Sequence, residues 1–202
     1  MEDLSLKYDQ IDGRGWITNK PDWIRVKRKS SGVVFIGFVD QFGKEMIPCK
    51  YVRQNQTGGY SFNNGLVALV NEEEKIGFVN EQGVEIIPCQ FEKVSHIEDG
   101  LICCSKDVYG KNLYGLIDIT GKVIVPFSYR FLGHMGKNRI IAQKNHSPVG
   151  ALDYRGNVVI PFEYYQLGRV TTDDRIEYNK GLGMKHGFMD INGNIIEELP
   201  KE

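Results

Sequence analysis

Several things that common function classes need are scarce or missing in this sequence. Its 202 residues include 4 histidines, 4 cysteines and 2 tryptophans. No apolar run reaches the roughly 18 residues of a membrane-spanning helix. The start, Met1-Glu-Asp-Leu-Ser-Leu, carries acids where a signal peptide needs an apolar stretch. These absences predict a cytoplasmic chain with no membrane role. A dominant charge is missing too: 25 basic residues face 26 acidic ones, for a net charge of −1. No net field therefore draws the chain to nucleic acid or an anionic surface. Helical periodicity is also absent, because no window sustains apolar residues at i, i+3, i+4 and i+7 between caps.

The chemistry-bearing residues form no recognisable constellation. No His-x-x-x-His or Cys-x-x-Cys spacing marks a metal site. No Gly-x-Ser-x-Gly elbow or phosphate-cradling glycine loop occurs. Cys49 and Cys89 stand at one repeat position that Phe127 and Phe162 fill later, which makes it an apolar packing position. Cys103 and Cys104 are adjacent on an expected strand and point to opposite faces. All four cysteines are expected as reduced, packed thiols. Of the histidines, His96 and His134 are expected in inter-strand loops, His146 just before a hairpin, and His186 in an apolar repeat position. Asp190-Ile-Asn192-Gly193 has the start of a calcium loop but lacks its downstream ligands. Asn55-Gln-Thr57 is a glycosylation acceptor that would matter only outside the cell. We therefore expect no enzyme activity, no cofactor and no metal, and no catalytic residue is assigned.

What the sequence does have is a repeat. Five segments align on two glycines six residues apart: Ile36-Gly to Gly43, Ile76-Gly to Gly83, Tyr114-Gly to Gly121, Val149-Gly to Gly156 and His186-Gly to Gly193. The first glycine advances in steps of 40, 38, 35 and 37. A second block follows in four copies: Met46-Ile-Pro48, Ile86-Ile-Pro88, Ile124-Val-Pro126 and Val159-Ile-Pro161, each with an aromatic three residues on, at Tyr51, Phe91, Tyr129 and Tyr164. The fifth copy reads Ile195-Ile-Glu-Glu-Leu-Pro200 and ends.

Each unit reads as a hairpin. Asp40, Asn80, Asp118, Asp153 and Asp190 accept a backbone N–H to start the turn, and the closing glycine supplies the left-handed conformation. The glycines are expected in turns. The prolines end the second strand or lie at a sheet edge. An apolar run precedes each hairpin, giving three strands, with a short fourth after the aromatic, as in Phe91 to His96. Leu66 to Val70 and Val84 to Pro88 are apolar on successive residues, so both faces of those strands should be covered by stacked neighbours.

The expected fold is an all-β repeat protein of five β-hairpin-containing repeats of about 37 residues, over 23–51, 65–91, 100–129, 138–164 and 175–199, forming one domain across 1–202. A five-bladed propeller-like ring is expected, with an open β-solenoid as the alternative. Residues 4–11, with Tyr8 in the aromatic place, are expected to close the ring by completing the sheet of the last repeat.

The two blocks resemble the bacterial WG-repeat family, whose unit reads Lys-Trp-Gly-Phe-Ile-Asp, a short turn, Gly, then Val-Ile-Pro and an aromatic. The likeness is strongest at Lys75-Ile-Gly-Phe-Val-Asn-Glu-Gln-Gly-Val-Glu-Ile-Ile-Pro88. Ile36, Ile76, Tyr114, Val149 and His186 stand where that family has tryptophan. The resemblance implies a β-repeat interaction module. The expected function is thus a non-enzymatic protein-interaction module, a monomer with a protein partner. The alternative is a propeller-like carbohydrate- or small-molecule-binding protein or hydrolase. Binding residues are not assigned individually; the irregular stretches 52–64, 130–138 and 165–174 are expected as variable binding loops. The basic run Arg25-Val-Lys27-Arg28-Lys29 is read as a solvated edge strand, or else as a patch for an acidic partner.

Overall fold

The computed structural model describes residues 4–199 apart from 15, 18, 55–61, 97–98, 145–147 and 182–184. It is all-β, with one four-stranded antiparallel sheet per repeat. The first sheet is β1 (Gln10–Arg14), β2 (Ile24–Ser30), β3 (Val33–Val39) and β4 (Glu45–Tyr51), and the second is β5 (Arg53–Gln54), β6 (Leu66–Val70), β7 (Ile76–Asn80) and β8 (Glu85–Phe91). The third is β9 (Lys93–His96), β10 (Leu101–Val108), β11 (Lys111–Asp118) and β12 (Val123–Tyr129). The fourth is β13 (Phe131–Gly136), β14 (Arg139–Gln143), β15 (Val149–Asp153) and β16 (Val158–Tyr164), and the fifth is β17 (Gln166–Val170), β18 (Arg175–Asn179), β19 (His186–Asp190) and β20 (Ile195–Glu198). Strands follow chain order within every sheet. The chain divides into two compact units, residues 1–95 with 119–121 and residues 96–118 with 122–202.

The turns form as their residues dictate. The Asp40 carboxylate accepts the N–H of Phe42 at 2.8 Å and of Lys44 at 3.0 Å, and Asn80, Asp153 and Asp190 take the equivalent pair in their own turns. The second glycine follows with positive φ, from 79° to 90° across the five copies. The first glycine is not a turn residue, contrary to expectation. Gly77 sits inside β7, and a Cβ there would lie 2.7 Å from the Cys89 backbone nitrogen and 2.8 Å from its sulfur. The rings of Phe127 and Phe162 lie as close to Gly115 and Gly150. The fourth strand therefore crosses the third where no side chain stands, and the pairing register shifts at that point in all of the first four sheets.

Pro48, Pro88, Pro126 and Pro161 lie within the fourth strands rather than ending them, and these are edge strands, where a missing N–H leaves the ladder intact. Edge placement also corrects one reading of Val84 to Pro88: Val84 and Ile86 are exposed, whereas Leu66, Val67, Leu69 and Val70 of the inner strand β6 are buried on both faces.

One residue links a fourth strand to the next sheet. After the buried Tyr51, Val52 already donates its N–H to Val70 of the second sheet at 2.9 Å; after Tyr164, Tyr165 donates to Asn179 of the fifth sheet at 2.8 Å. The short strand following each aromatic is thus the first strand of the following sheet. This corrects the stretches 130–138 and 165–174, expected as loops: they are β13 and β17 with their turns. Both are edge strands broken by bulges, which disrupts the alternation that marks a strand. Most of 52–64 lies outside the described residues. His96 and His134 fall on β9 and β13 rather than in loops.

Sheets stack through apolar faces. Ile36, Phe38, Ile47 and Tyr51 of the first sheet pack on Val67, Leu69 and Val79 of the second. Leu116, Val125 and Tyr129 of the third meet Leu132, Ile140, Ala142 and Leu152 of the fourth. Val149, Ala151, Ile160 and Tyr164 of the fourth meet Leu167, Ile176, Tyr178 and Met189 of the fifth.

Residues 4–11 do not join the last sheet. They form α1 (Leu4–Lys7) and the start of β1, which pairs with β2, while β17 completes the fifth sheet. Tyr8 does occupy the aromatic place. It packs with Val26 and Val39 on the outer face of the first sheet and donates its hydroxyl to Glu45 at 3.2 Å, as Tyr51 does to Glu85 at 3.0 Å. Burial, then the Glu45 carboxylate, pushes the Tyr8 phenol up to about 12.

Two predictions follow from this frame. Gly77→Ala forces a methyl into occupied space and should destabilise by roughly 1–3 kcal/mol in urea unfolding. Asp153 and Asp190 titrate below the usual aspartate range: for Asp153, burial opposes ionisation but is outweighed by hydrogen bonds from Asn157 and Arg155; for Asp190, the Asn194 side chain is the first cause. Their stabilisation is complete above the unfolded carboxyl's value of about 3.9 and disappears as pH falls through the folded values. The melting temperature should hold from pH 7 to about 5 and fall below about 4. Asp153→Asn, which keeps the backbone bonds that Asn80 makes, should show a shallower acid fall.

Candidate interaction surface

The basic run lies on β2, an inner strand hydrogen-bonded to β1 and β3, so the edge-strand reading is wrong. Half of its charge is answered internally. Asp12 on β1, with its side chain 7% exposed, accepts Arg25 Nε at 2.7 Å and Lys27 Nζ at 3.0 Å. Burial raises the Asp12 carboxyl, but the hydrogen bonds of Lys27 and Arg25 outweigh it and leave it below its ordinary value. The Arg25 guanidinium also lies 3.3 Å from the Trp16 ring centroid. Asp12 thus answers the first two of the four basic residues, and Arg28 and Lys29 are exposed.

The other flagged residues serve packing and turns. Cys49 and Cys89 are half-buried and Cys103 and Cys104 buried, all as free thiols. Burial, then Glu85, pushes the Cys89 thiol up to about 11, so it stays protonated and inert at neutral pH. Asp190 and Asn192 belong to the repeat turn. His146 and the Asn55 acceptor lie outside the described residues. Among the described residues, no three His, Cys, Asp or Glu side chains gather as a metal cluster, and no helix is long and apolar enough to cross a membrane.

The fifth sheet is where the repeat changes character. In the first four copies the residue before the first glycine and the one after it face the same way. So does the residue seven beyond the turn acid, where Ile47, Ile87, Val125 and Ile160 are at most 1% exposed. In the fifth copy the same face carries His186, Phe188 and Glu197. Glu197 is exposed and accepts from Arg175 at 2.5 Å, and the Arg175 guanidinium covers the Phe188 ring at 4.1 Å. Ile196 is exposed beside them, at 55%, while Ile195, exposed at 46%, pairs with Met189 of the packed face.

Across this face, Gln166, Asn179 and His186 stand directly opposite one another on β17, β18 and β19. With Gly168, Glu177 and Tyr178 they line a small cleft of about 60 Å³. Gly168 opens it, since a Cβ there would meet the Glu177 side chain at 3.4 Å. Asn179 Oδ1 accepts the Gly181 N–H at 2.6 Å, which turns its amide NH₂ outward as a donor. The Tyr178 ring lies on the opposite, packed face, against Tyr164. Sequence reasoning noted the break at His186 and in Ile195-Ile-Glu-Glu but missed Gln166, Glu177 and Asn179. The cue was the fifth copy's departure from the column pattern.

The sequence profile of a family described as WG containing repeat matches residues 36–75, 76–107 and 114–145, together just over half of the chain. The chain belongs to the WG containing repeat family. No curated protein matches this WG-repeat chain. Three solved structures are similar to it in part. BamB from Moraxella catarrhalis has 9% identity and a TM-score of 0.34, over 89% of this chain and 70% of that one. The computationally designed Ika8 protein has 10% identity and a TM-score of 0.39, over 90% and 59%. A chain of a nidogen/laminin complex has 11% identity and a TM-score of 0.34, over 88% and 75%.

The exposed face of the fifth sheet is thus polar at positions that are apolar in the first four copies. His186→Ile with Glu197→Ile restores the apolar pattern on an exposed sheet. That variant should associate with itself as concentration rises in sedimentation velocity, while the parent does not.

Proposed function

We propose that this WG-repeat chain is a non-enzymatic protein-interaction module, a cytoplasmic monomer that presents the exposed face of its fifth sheet to a protein partner. The observation that carries this reading is the change to His186 and Glu197 at positions that are apolar in the first four copies, with Phe188 beside them and Ile196 exposed alongside. Apolar side chains ringed by polar ones are the composition of a recognition patch. The near-zero net charge supports a protein partner over nucleic acid or a membrane surface.

A second reading has its own observation. The cleft over Gln166, Glu177, Asn179 and His186 offers a carboxylate, amides and an imidazole to a small polar molecule, a sugar among them. Tagged chain and its Glu177→Ala/His186→Ala/Glu197→Ala variant, drawn in parallel from native lysate, separate the two. A stoichiometric protein retained by the parent and lost by the variant is the expected result. A protein held equally by both would remove this face from the interaction, and a retained metabolite without protein would favour the cleft.

A further inference from the structure

The β10–β11 hairpin has features that the repeat does not require. In the second, fourth and fifth sheets the central pair ends at Val70–Ile76, Gln143–Val149 and Asn179–His186. In the third it runs past the equivalent Ser105–Tyr114 rung for three more, out to Val108–Lys111, or about 10 Å further. At the tip stands Tyr109, 100% exposed, with φ at 54°, followed by Gly110 at 76°. The first sheet has an equally long hairpin, and its tip is Ser31-Gly32.

Left-handed positions before a turn glycine are filled elsewhere in this chain by Ser31, Asn64 and Asp99. Such small polar side chains tolerate this conformation, and Asn and Asp can satisfy the local backbone with their own oxygens. Tyrosine gains neither advantage. Its β-carbon is strained, and its ring is left wholly in water. The two-residue turn requires the left-handed angle but does not require a tyrosine to hold it. A wholly exposed aromatic at the tip is therefore what calls for an explanation, and tyrosine is the side chain most suited to anchoring an interface, with a large rigid ring and a polar end.

The tip charges are not equivalent. The Asp107 carboxylate accepts the Gly110 N–H at 2.9 Å and so closes the turn, and the Lys106 ammonium lies over the Phe127 ring at 4.4 Å. Lys111 is exposed beside Tyr109.

We infer that the β10–β11 hairpin is a recognition finger that inserts Tyr109 into an apolar pocket of a partner protein, with a carboxylate on the pocket rim pairing with Lys111. This rests on the interaction-module reading but uses a surface distinct from the fifth-sheet face. The test places a benzophenone amino acid at position 109, and as control at Ser31 on the equally long hairpin, in the full chain irradiated in native lysate. A discrete cross-linked product is expected from 109 and not from 31, abolished by excess unlabelled parent chain. Tyr109→Asn, which relieves the backbone and should raise the melting temperature, is expected to compete at least tenfold less well, and Lys111→Glu likewise. Absence of a 109-specific product, or equal competition by Tyr109→Asn, overturns the finger. A partner still lost on substituting the fifth-sheet face would then leave the module reading standing without it.

Discussion

The structure depends on one steric allowance. The third strand of each repeat carries a glycine where the fourth strand crosses it, and the empty position is filled by the backbone of Ile47 and Cys49 in the first sheet and, with the backbone, by the side chains of Cys89, Phe127 and Phe162 in the next three. The crossing breaks the pairing register and turns the fourth strand, so that its aromatic is buried between sheets and the chain enters the next sheet one residue later. Sheet stacking and the buried tyrosine hydroxyls follow from that turn. The name-giving tryptophan of the family is dispensable to this geometry, because Ile36, Ile76, Tyr114, Val149 and His186 all occupy its position while the glycine stays.

The first and fifth sheets each treat one face differently from the rest. On the first sheet, α1 and Tyr8 cover Val26 and Val39, and Tyr8 binds Glu45 as an internal aromatic binds its successor. On the fifth, the apolar residues are exchanged for His186 and Glu197, and Arg175 holds Glu197 over Phe188. One face is covered by chain and the other is made polar. Both are known solutions to an exposed sheet face.

Most of this frame was legible in the sequence because it rests on repeated column identities: Asp or Asn, two variable residues and glycine in five copies, then an apolar pair, proline and an aromatic in four. The role of the first glycine was misread, since a glycine spaced for close approach and one spaced for a turn look the same in sequence. The outer strands β13 and β17 were read as loops because bulges at His134 to Gly136 and Leu167 to Val170 destroy their alternation. The cleft residues carry no motif of their own, as Gln166, Glu177 and Asn179 meet only through cross-strand register. Tyr109 was passed over because a tyrosine before a glycine is unremarkable until its backbone angle and exposure are known.

The one-residue link after each aromatic puts the sequence repeat and the sheet out of phase by one strand. The strand that opens a sheet directly continues the strand that closes the one before, so the written unit ends inside a shared piece of backbone. A duplication of one period, begun at any point in the chain, would therefore add a whole four-stranded sheet, its two edge strands included. Repeat number is free to change in whole sheets, because neighbouring sheets are joined each time by the same one-residue link.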